Sequence, residues 1–214
     1  MDKKYWLDCW DSGNIRFHQK KVNPHLNSFW KLLAKDRRPV FVPLCGKTLD
    51  MNYLANYGHK VIGVELSEQA IKEFFQGLDL KPQIISDSGF KVYEANSYKI
   101  YCGDIFEIKF DFSIIAYVYD RACYIALDHK DRKKYCHWLI KNLPHVNMLH
   151  LSIEFDHLTA GPPYSITKQE IERGFSSSFN LECLIDEPIS KEKVPHADFI
   201  THLTERVHKI TPQS

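Results

Sequence analysis

A chain of 214 residues has the length of one compact domain, which buries about 70% of the surface that its unfolded form would expose. Its 28 lysines and arginines balance 27 aspartates and glutamates, so a formal net charge of +1 argues against a nucleic-acid partner. We therefore expect a single domain over residues 1–214 that acts on a small molecule, and we expect a monomer.

The amino terminus, Met1-Asp2-Lys3-Lys4, lacks the apolar core of a secretory signal, and no later apolar run approaches the ~20 residues of a membrane span. These features predict a cytoplasmic protein without a membrane partner. The six cysteines form no CxxC pair, which favours reduced thiols. The eleven histidines lack the spacing of metal ligands, so no metal is predicted.

The first part of the chain alternates short apolar runs with amphipathic stretches. In chain order, the predicted elements are a helix over 27–35, a strand over 39–44, a helix over 49–57, a strand over 61–66 and a helix over 69–78. Thr48 and Ser67 are the expected caps of the last two helices. The resulting pattern is strand, helix, strand, helix.

The second part of the chain continues this alternation and then ends in strands. The predicted elements are a hairpin over 90–94 and 98–102, a strand over 112–118, a helical region over 122–143 broken near Asp128, a strand over 147–155, a helix from Thr167 to near Phe175, and two strands around 181–185 and 199–210. This order predicts a Rossmann-like α/β fold, with a mostly parallel central sheet, helices on both faces and an antiparallel carboxyl-terminal strand pair.

An acidic residue at the end of the second strand commonly binds ribose hydroxyls in sheets of this type. Glu65 follows Leu44 by 21 positions, which places it there. A solvent-facing glutamate that caps the next helix would have the same spacing, so both interpretations stay open. The turn after the first strand, Leu44-Cys45-Gly46-Lys47, is neither a GxGxxG nor a Walker loop, which argues against NAD and ATP.

Two stretches closely resemble the thiopurine S-methyltransferase family. The sequence VPLCGKTLDM at 42–51 is similar to the family's PLCGK segment, and GHKVIGVELS at 58–67 is similar to the GHxVxGVE(L/I)S stretch that follows it. Further matches run along nearly the whole chain: Trp6, Trp10, Gly13, Phe17-His18, the paired Phe74 and Phe75, Tyr119-Asp120-Arg121, Gly161-Pro162-Pro163-Tyr164 and Glu205-Arg206-Val207.

The resemblance implies a methyltransferase that uses S-adenosyl-L-methionine, releases S-adenosyl-L-homocysteine and methylates a thiol, a thiopurine or a selenium or tellurium species. It also implies site residues: Trp6, Trp10, Leu44, Glu65 and Arg121 at the cofactor, Asp104 and Ile105 beside its adenine, and Phe17 near the acceptor and the transferred methyl. Residues 1–25 would then cover the cofactor. We expect residues 6–17 to be mobile in the free protein and ordered by ligand.

Some alternatives stay open at this level. The aromatic rings, Trp6 above all, can be core residues, and Arg121 can pair with Asp120 or a nearby glutamate. Asp120 or His18 could at most assist proton transfer, so no catalytic base is assigned.

The acceptor is the least defined part of the prediction. Cys123 and Tyr124 differ from the small and aliphatic residues expected there, and Lys191 or Lys193 stands where animal members carry an arginine near the acceptor. Rival functions are methyl transfer to halide, thiocyanate or another small molecule on the same scaffold, and non-catalytic binding of S-adenosylmethionine. A nicotinamide oxidoreductase is disfavoured because GxGxxG is missing.

Overall fold

The computed structural model describes residues 2–156, 161–190 and 202–213. The chain forms two compact units, Asp2–Tyr117 and Val118–Ser214. The predicted single domain over 1–214 stays a prediction. Lys191, Lys193 and the start of the strand predicted over 199–210 lie outside the described residues.

The first unit carries most of the predicted strand and helix alternation. Its elements are α1 (Lys3–Asp11), α2 (Pro24–Leu33), β1 (Val40–Val42), α3 (Asp50–Asn56), β2 (Val61–Glu65), α4 (Glu68–Gly77), β3 (Gln83–Asp87), β4 (Phe90–Ala95) and β5 (Tyr98–Cys102). The strands lie in the order β3-β4-β5-β2-β1. Strands β1, β2 and β5 pair in parallel, and β3, β4 and β5 pair antiparallel.

Strand β2 and the helix α4 that follows it show how residue type determines the local structure. Every residue of β2 is buried, as expected for a parallel strand covered on both faces. The inward positions predicted for the following helix, Ile71, Phe74 and Phe75, are buried in α4. Ser67 Oγ accepts a hydrogen bond from Ala70 N at 3.2 Å, which confirms Ser67 as the cap.

The second unit begins within a strand and ends in an antiparallel ladder. Its elements are β6 (Tyr117–Arg121), α5 (Cys123–Ala126), α6 (His129–Asn142), β7 (Asn147–Phe155), α7 (Lys168–Phe175), β8 (Phe179–Pro188) and β9 (Leu203–Pro212). Strand β9 pairs antiparallel with both β7 and β8, which confirms the predicted carboxyl-terminal pair. Asp128 caps α6 through Asp131 N, so the predicted break at Asp128 is also confirmed.

The strand predicted over 112–118 is wrong at its start. Residues Phe112–Ile114 form a 3₁₀ turn, in which Asp111 Oδ1 accepts from Ser113 N at 3.0 Å, and the strand begins at Tyr117. An aspartate that bonds its own backbone two residues on favours a turn over a strand.

Helix α1 and strand β3 were not predicted. Both are largely exposed and therefore lack a clear apolar period. No helix among residues 2–156, 161–190 and 202–213 is long and apolar enough to cross a membrane.

Candidate functional site

The turn after β1 has an unusual backbone that turns towards the end of β2. Leu44 and Gly46 both have left-handed φ values, 45° and 52°. Between them, Cys45 N donates to Val64 O at 3.0 Å, which ties the turn to β2. A Cβ at Gly63 would stand 2.8 Å from Cys45 Sγ, so only glycine at position 63 allows this close approach.

Glu65 is the last residue of β2, and backbone donors hold its carboxylate from two sides. Oε2 accepts from Gly46 N at 2.7 Å, and Oε1 accepts from Ser67 N at 2.8 Å. Its side chain is only 7% exposed. The carboxylate is therefore buried and links the first turn to the start of α4, so the solvent-facing helix cap considered for Glu65 is wrong.

The Glu65 carboxylate retains acceptor capacity, because its two oxygens together carry four lone pairs and backbone N–H groups use only part of them. Burial raises the pKa of Glu65, while the N–H groups of Ser67, Gly46 and Leu66 favour its charged form. Burial, and then Glu65 itself, raise the pKa of Cys45 well above its ordinary value. Cys45 is thus a neutral thiol that packs under the turn.

Asp104 lies beside Glu65 at the same edge of the sheet. Glu65 is opposite Cys102 in the β2–β5 ladder, and Gly103 N donates to Glu65 O at 2.9 Å. The Asp104 side chain is 7% exposed, and its Oδ1 accepts from Phe106 N at 2.9 Å. The next residue, Ile105, is buried and supplies an apolar surface.

The three predicted aromatic residues come together next to the first turn. The Trp10 ring lies against Gly46, where a Cβ would stand 3.2 Å from Trp10 Cζ2. Phe17 is in edge contact with Trp10 and with Trp6, at centroid distances of 5.5 Å and 5.3 Å. Trp10 is buried, whereas Trp6 is half-buried and Phe17 is exposed. An aromatic cluster therefore borders the backbone of the turn.

Arg121 is the last residue of β6 and belongs to the second unit, so its contact with the cofactor stays a prediction. Its neighbour Asp120 is fully buried, and Tyr135 Oη donates to Asp120 Oδ2 at 2.9 Å. Burial raises the pKa of Asp120 to about 7. Ala122 follows with a left-handed φ of 66°, which bends the chain from β6 into α5.

One residue at this edge was missed by sequence reasoning. Lys3 Nζ lies 2.7 Å from Asp104 Oδ2 and 3.2 Å from Glu107 Oε1. A lysine near the amino terminus has no sequence signal that would indicate such a distant partner. No group of three or more metal-ligating side chains occurs within the part of the chain that the structure describes.

Solved structures with the same fold include several methyltransferases. The 1,6-didemethyltoxoflavin-N1-methyltransferase of Burkholderia thailandensis, with bound S-adenosylhomocysteine, superposes with a TM-score of 0.67 over 98% of this chain and 87% of its own, at 13% identity. The magnesium protoporphyrin IX methyltransferase of Synechocystis PCC 6803 gives a TM-score of 0.62 over 97% and 99%, also at 13% identity. The fold is therefore that of these methyltransferases.

Sequence similarity defines the family. The family model described as thiopurine S-methyltransferase (TPMT) matches residues 1–213. A thiopurine S-methyltransferase of Pseudomonas fluorescens (strain Pf0-1) is 37% identical over 98% of this chain and 99% of its own. A probable thiopurine S-methyltransferase of Yarrowia lipolytica is 35% identical over 98% and 100%. This chain belongs to the thiopurine S-methyltransferase family, and it is an S-adenosylmethionine-dependent methyltransferase.

Proposed function

We propose that this enzyme transfers the methyl group of S-adenosylmethionine to a sulfur atom of a small molecule, a thiol or a thiopurine, or to selenium or tellurium in the same role. The observation that carries the proposal is the Glu65 carboxylate, which backbone donors hold at the end of β2 beside an aromatic cluster. The names of the relatives support sulfur as the acceptor atom.

The residues of the first unit fit a nucleoside with a short polar extension. Glu65 has acceptor capacity for ribose hydroxyls. Asp104 and Ile105 supply an acceptor and an apolar surface for adenine one strand further along. We propose that the turn at Leu44, together with Trp10 and Trp6, contacts the remainder of the cofactor. We assign Arg121 to the same part of the cofactor.

The protein contributes to this reaction mainly by positioning the two reactants and by excluding water. The bound cofactor supplies a methyl group on a sulfonium, whose remainder is a good leaving group. Aromatic faces such as those of Trp10 and Phe17 attract a cation. Orientation of two reactants can supply about 7–11 kcal/mol of the barrier. Since a thiol ionises easily, we assign no catalytic base.

We further propose that residues 1–25 cover the cofactor and that the whole chain acts as one methyltransferase domain. The family match over residues 1–213 supports the second point, because it spans both units. Hydrogen exchange tests the first: protection of residues 6–17 should rise when the protein is saturated with S-adenosylhomocysteine. Equal, strong protection with and without ligand would contradict a cover that ligand orders.

One experiment tests the acceptor class. The protein is incubated with S-adenosylmethionine and a panel of thiols, selenols, halides, thiocyanate and thiopurines, and release of S-adenosylhomocysteine is followed. We expect turnover with sulfur or selenium acceptors. Turnover with halide or thiocyanate alone, or binding without any turnover, would refute the proposal.

The location and oligomeric state are also proposals, namely a cytoplasmic protein that acts as a monomer. Cell fractionation checks the first. Light scattering of the purified protein at several concentrations checks the second, and a mass near twice 25.1 kDa would refute it.

A further inference from the structure

Lys3, in the first turn of α1, reaches the end of β5. Its ammonium lies 2.7 Å from Asp104 Oδ2, and it also contacts Glu107 Oε1 at 3.2 Å. Hydrogen bonds to these two carboxylates raise the pKa of Lys3. The Lys3 side chain is 46% exposed, whereas that of Asp104 is 7% exposed, so the pair has one buried member.

Asp104 is placed where it can meet a nucleobase. Ligands of open α/β sheets bind along the carboxyl ends of the strands. If Glu65 holds a ribose at the end of β2, the attached base extends towards the neighbouring strand β5, which Asp104 follows. One Asp104 oxygen accepts from Phe106 N, and the oxygen that faces Lys3 keeps a lone pair. That lone pair can accept from the 6-amino group of adenine.

We propose that Lys3 is a positioning residue for the adenine end of the cofactor site, acting through Asp104. This inference rests on the proposed function. The ammonium orients the buried carboxylate, because a charge-assisted hydrogen bond at 2.7 Å fixes the position of the Asp104 side chain. It also anchors α1 at one end of the site, while Trp10 anchors the last turn of the same helix at Gly46.

The helix provides a matched control. Lys4 is the next residue of α1, carries the same charge and is exposed. Lys4→Met therefore changes the net charge and the helix as Lys3→Met does, without touching Asp104. Lys3→Arg keeps a cation that can reach the carboxylate, and it serves as the rescue variant.

Binding of S-adenosylhomocysteine is measured by calorimetry for the wild type and these variants. We expect Lys3→Met to weaken binding about fivefold to tenfold, since the pair is only partly screened by solvent. Lys4→Met should stay within about twofold, and Lys3→Arg should recover most of the affinity. In a double-mutant cycle with Asp104→Asn, the two losses should not add, because both variants break one interaction.

Steady-state kinetics separates positioning from a merely structural role. Lys3→Met should raise the KM for S-adenosylmethionine and leave the acceptor KM and kcat within about twofold. Wild-type affinity in Lys3→Met would overturn the inference. Equal impairment of both KM values and of kcat, together with loss of helix signal, would also overturn the inference, because Lys3 would then support the fold of α1. Failure of the wild type to bind S-adenosylhomocysteine would overturn the proposed function and this inference together.

Discussion

Two regions of the molecule bury polar side chains in opposite ways. At the carboxyl ends of β2 and β5, both oxygens of Glu65 and of Asp104 have described partners. In the second unit, five buried side chains have a polar atom without a hydrogen-bond partner among the described residues: Asp120 Oδ1, both ring nitrogens of His150, Ser152 Oγ, His208 Nδ1 and Arg206 Nε, the last of which forms an ion pair with Asp186. The first arrangement provides bonded carboxylates at the strand ends, whereas burial in the second favours the neutral forms of Asp120, His150 and His208.

The β7–β9 ladder shows how the second region tolerates this. His150 and His208 stand opposite each other, with ring centroids 6.3 Å apart. His150 is also in ring contact with Tyr124 and Phe175, at 5.2 Å and 5.8 Å. Burial lowers the pKa of His150 to about 3 and that of His208 to about 4. These two histidines are therefore neutral aromatic core residues. The large number of histidines in the chain does not by itself indicate catalysis.

The largest effect is expected from Glu65→Ala, which breaks the first region. Affinity for S-adenosylhomocysteine should fall by roughly 2–4 kcal/mol, since hydrogen bonds to a charged group are lost. Stability should fall as well, because Gly46 N and Ser67 N lose their acceptor. Calorimetry and urea unfolding measure the two effects. Ser67→Ala, which removes the cap of α4 and keeps Glu65, is the control. Normal ligand affinity in the folded variant would contradict the ribose role.

Asp120→Asn tests the cost of a buried carboxylate in the second region. Burial raises the pKa of Asp120 from its ordinary value of 3.8 in an unfolded chain to about 7 in the folded protein, so the folded form binds the proton more tightly. Stability from this group is therefore present at low pH and is lost as the pH rises through about 7. The variant should be more stable than the wild type at pH 8, by roughly 2–4 kcal/mol.

Unfolding curves at pH 5 and pH 8 measure this difference. Asp128→Asn removes another carboxylate of the same unit while an amide oxygen still caps α6, so it controls for the change in net charge. From pH 5 to pH 8, the wild type should lose more stability than Asp120→Asn does. An equal change in the two proteins would refute the raised pKa of Asp120.

His150→Phe tests the neutral histidines. Because the folded pKa of about 3 lies below the unfolded value of 6.5, the stabilising contribution is present above pH 6.5 and is lost as the pH falls. At pH 5 the protonation of the unfolded state costs the wild type about 2 kcal/mol, which the variant should not lose. Thermal unfolding at pH 7 and pH 5 checks this, with the exposed His137→Gln as control. Parallel pH dependence in the variant and the wild type would contradict a buried neutral His150.

Gly46→Ala should have the smallest effect, and it sharpens the description of the first region. Alanine at a φ of +52° is strained, and its Cβ would stand 3.2 Å from Trp10, so we expect a loss of about 1–2 kcal/mol of stability. Gly77→Ala is the matched control, because it lies in α4, lacks a left-handed φ and has no atom within 4 Å of its Cβ in the described structure. Equal stabilities of the two variants by urea unfolding would show that the turn is not constrained.

Local signals in the sequence determined much of the fold. The apolar runs of β2 and β7 and the period of α4 predicted these elements because burial of one face follows from residue type at fixed spacing. Ser67 and Asp128 were predicted as helix boundaries because short polar side chains bond nearby N–H groups. The placement of Glu65 at a strand end also came from spacing, and membership of the family came from motifs near it.

Only the tertiary structure decided which distant groups meet. The two N–H donors to Glu65, the contact of Lys3 with Asp104 and the neutral state of His150 each depend on burial and on partners from other elements. Residue type and spacing record local preference, whereas a pKa or an ion pair reflects the three-dimensional surroundings that long-range packing creates.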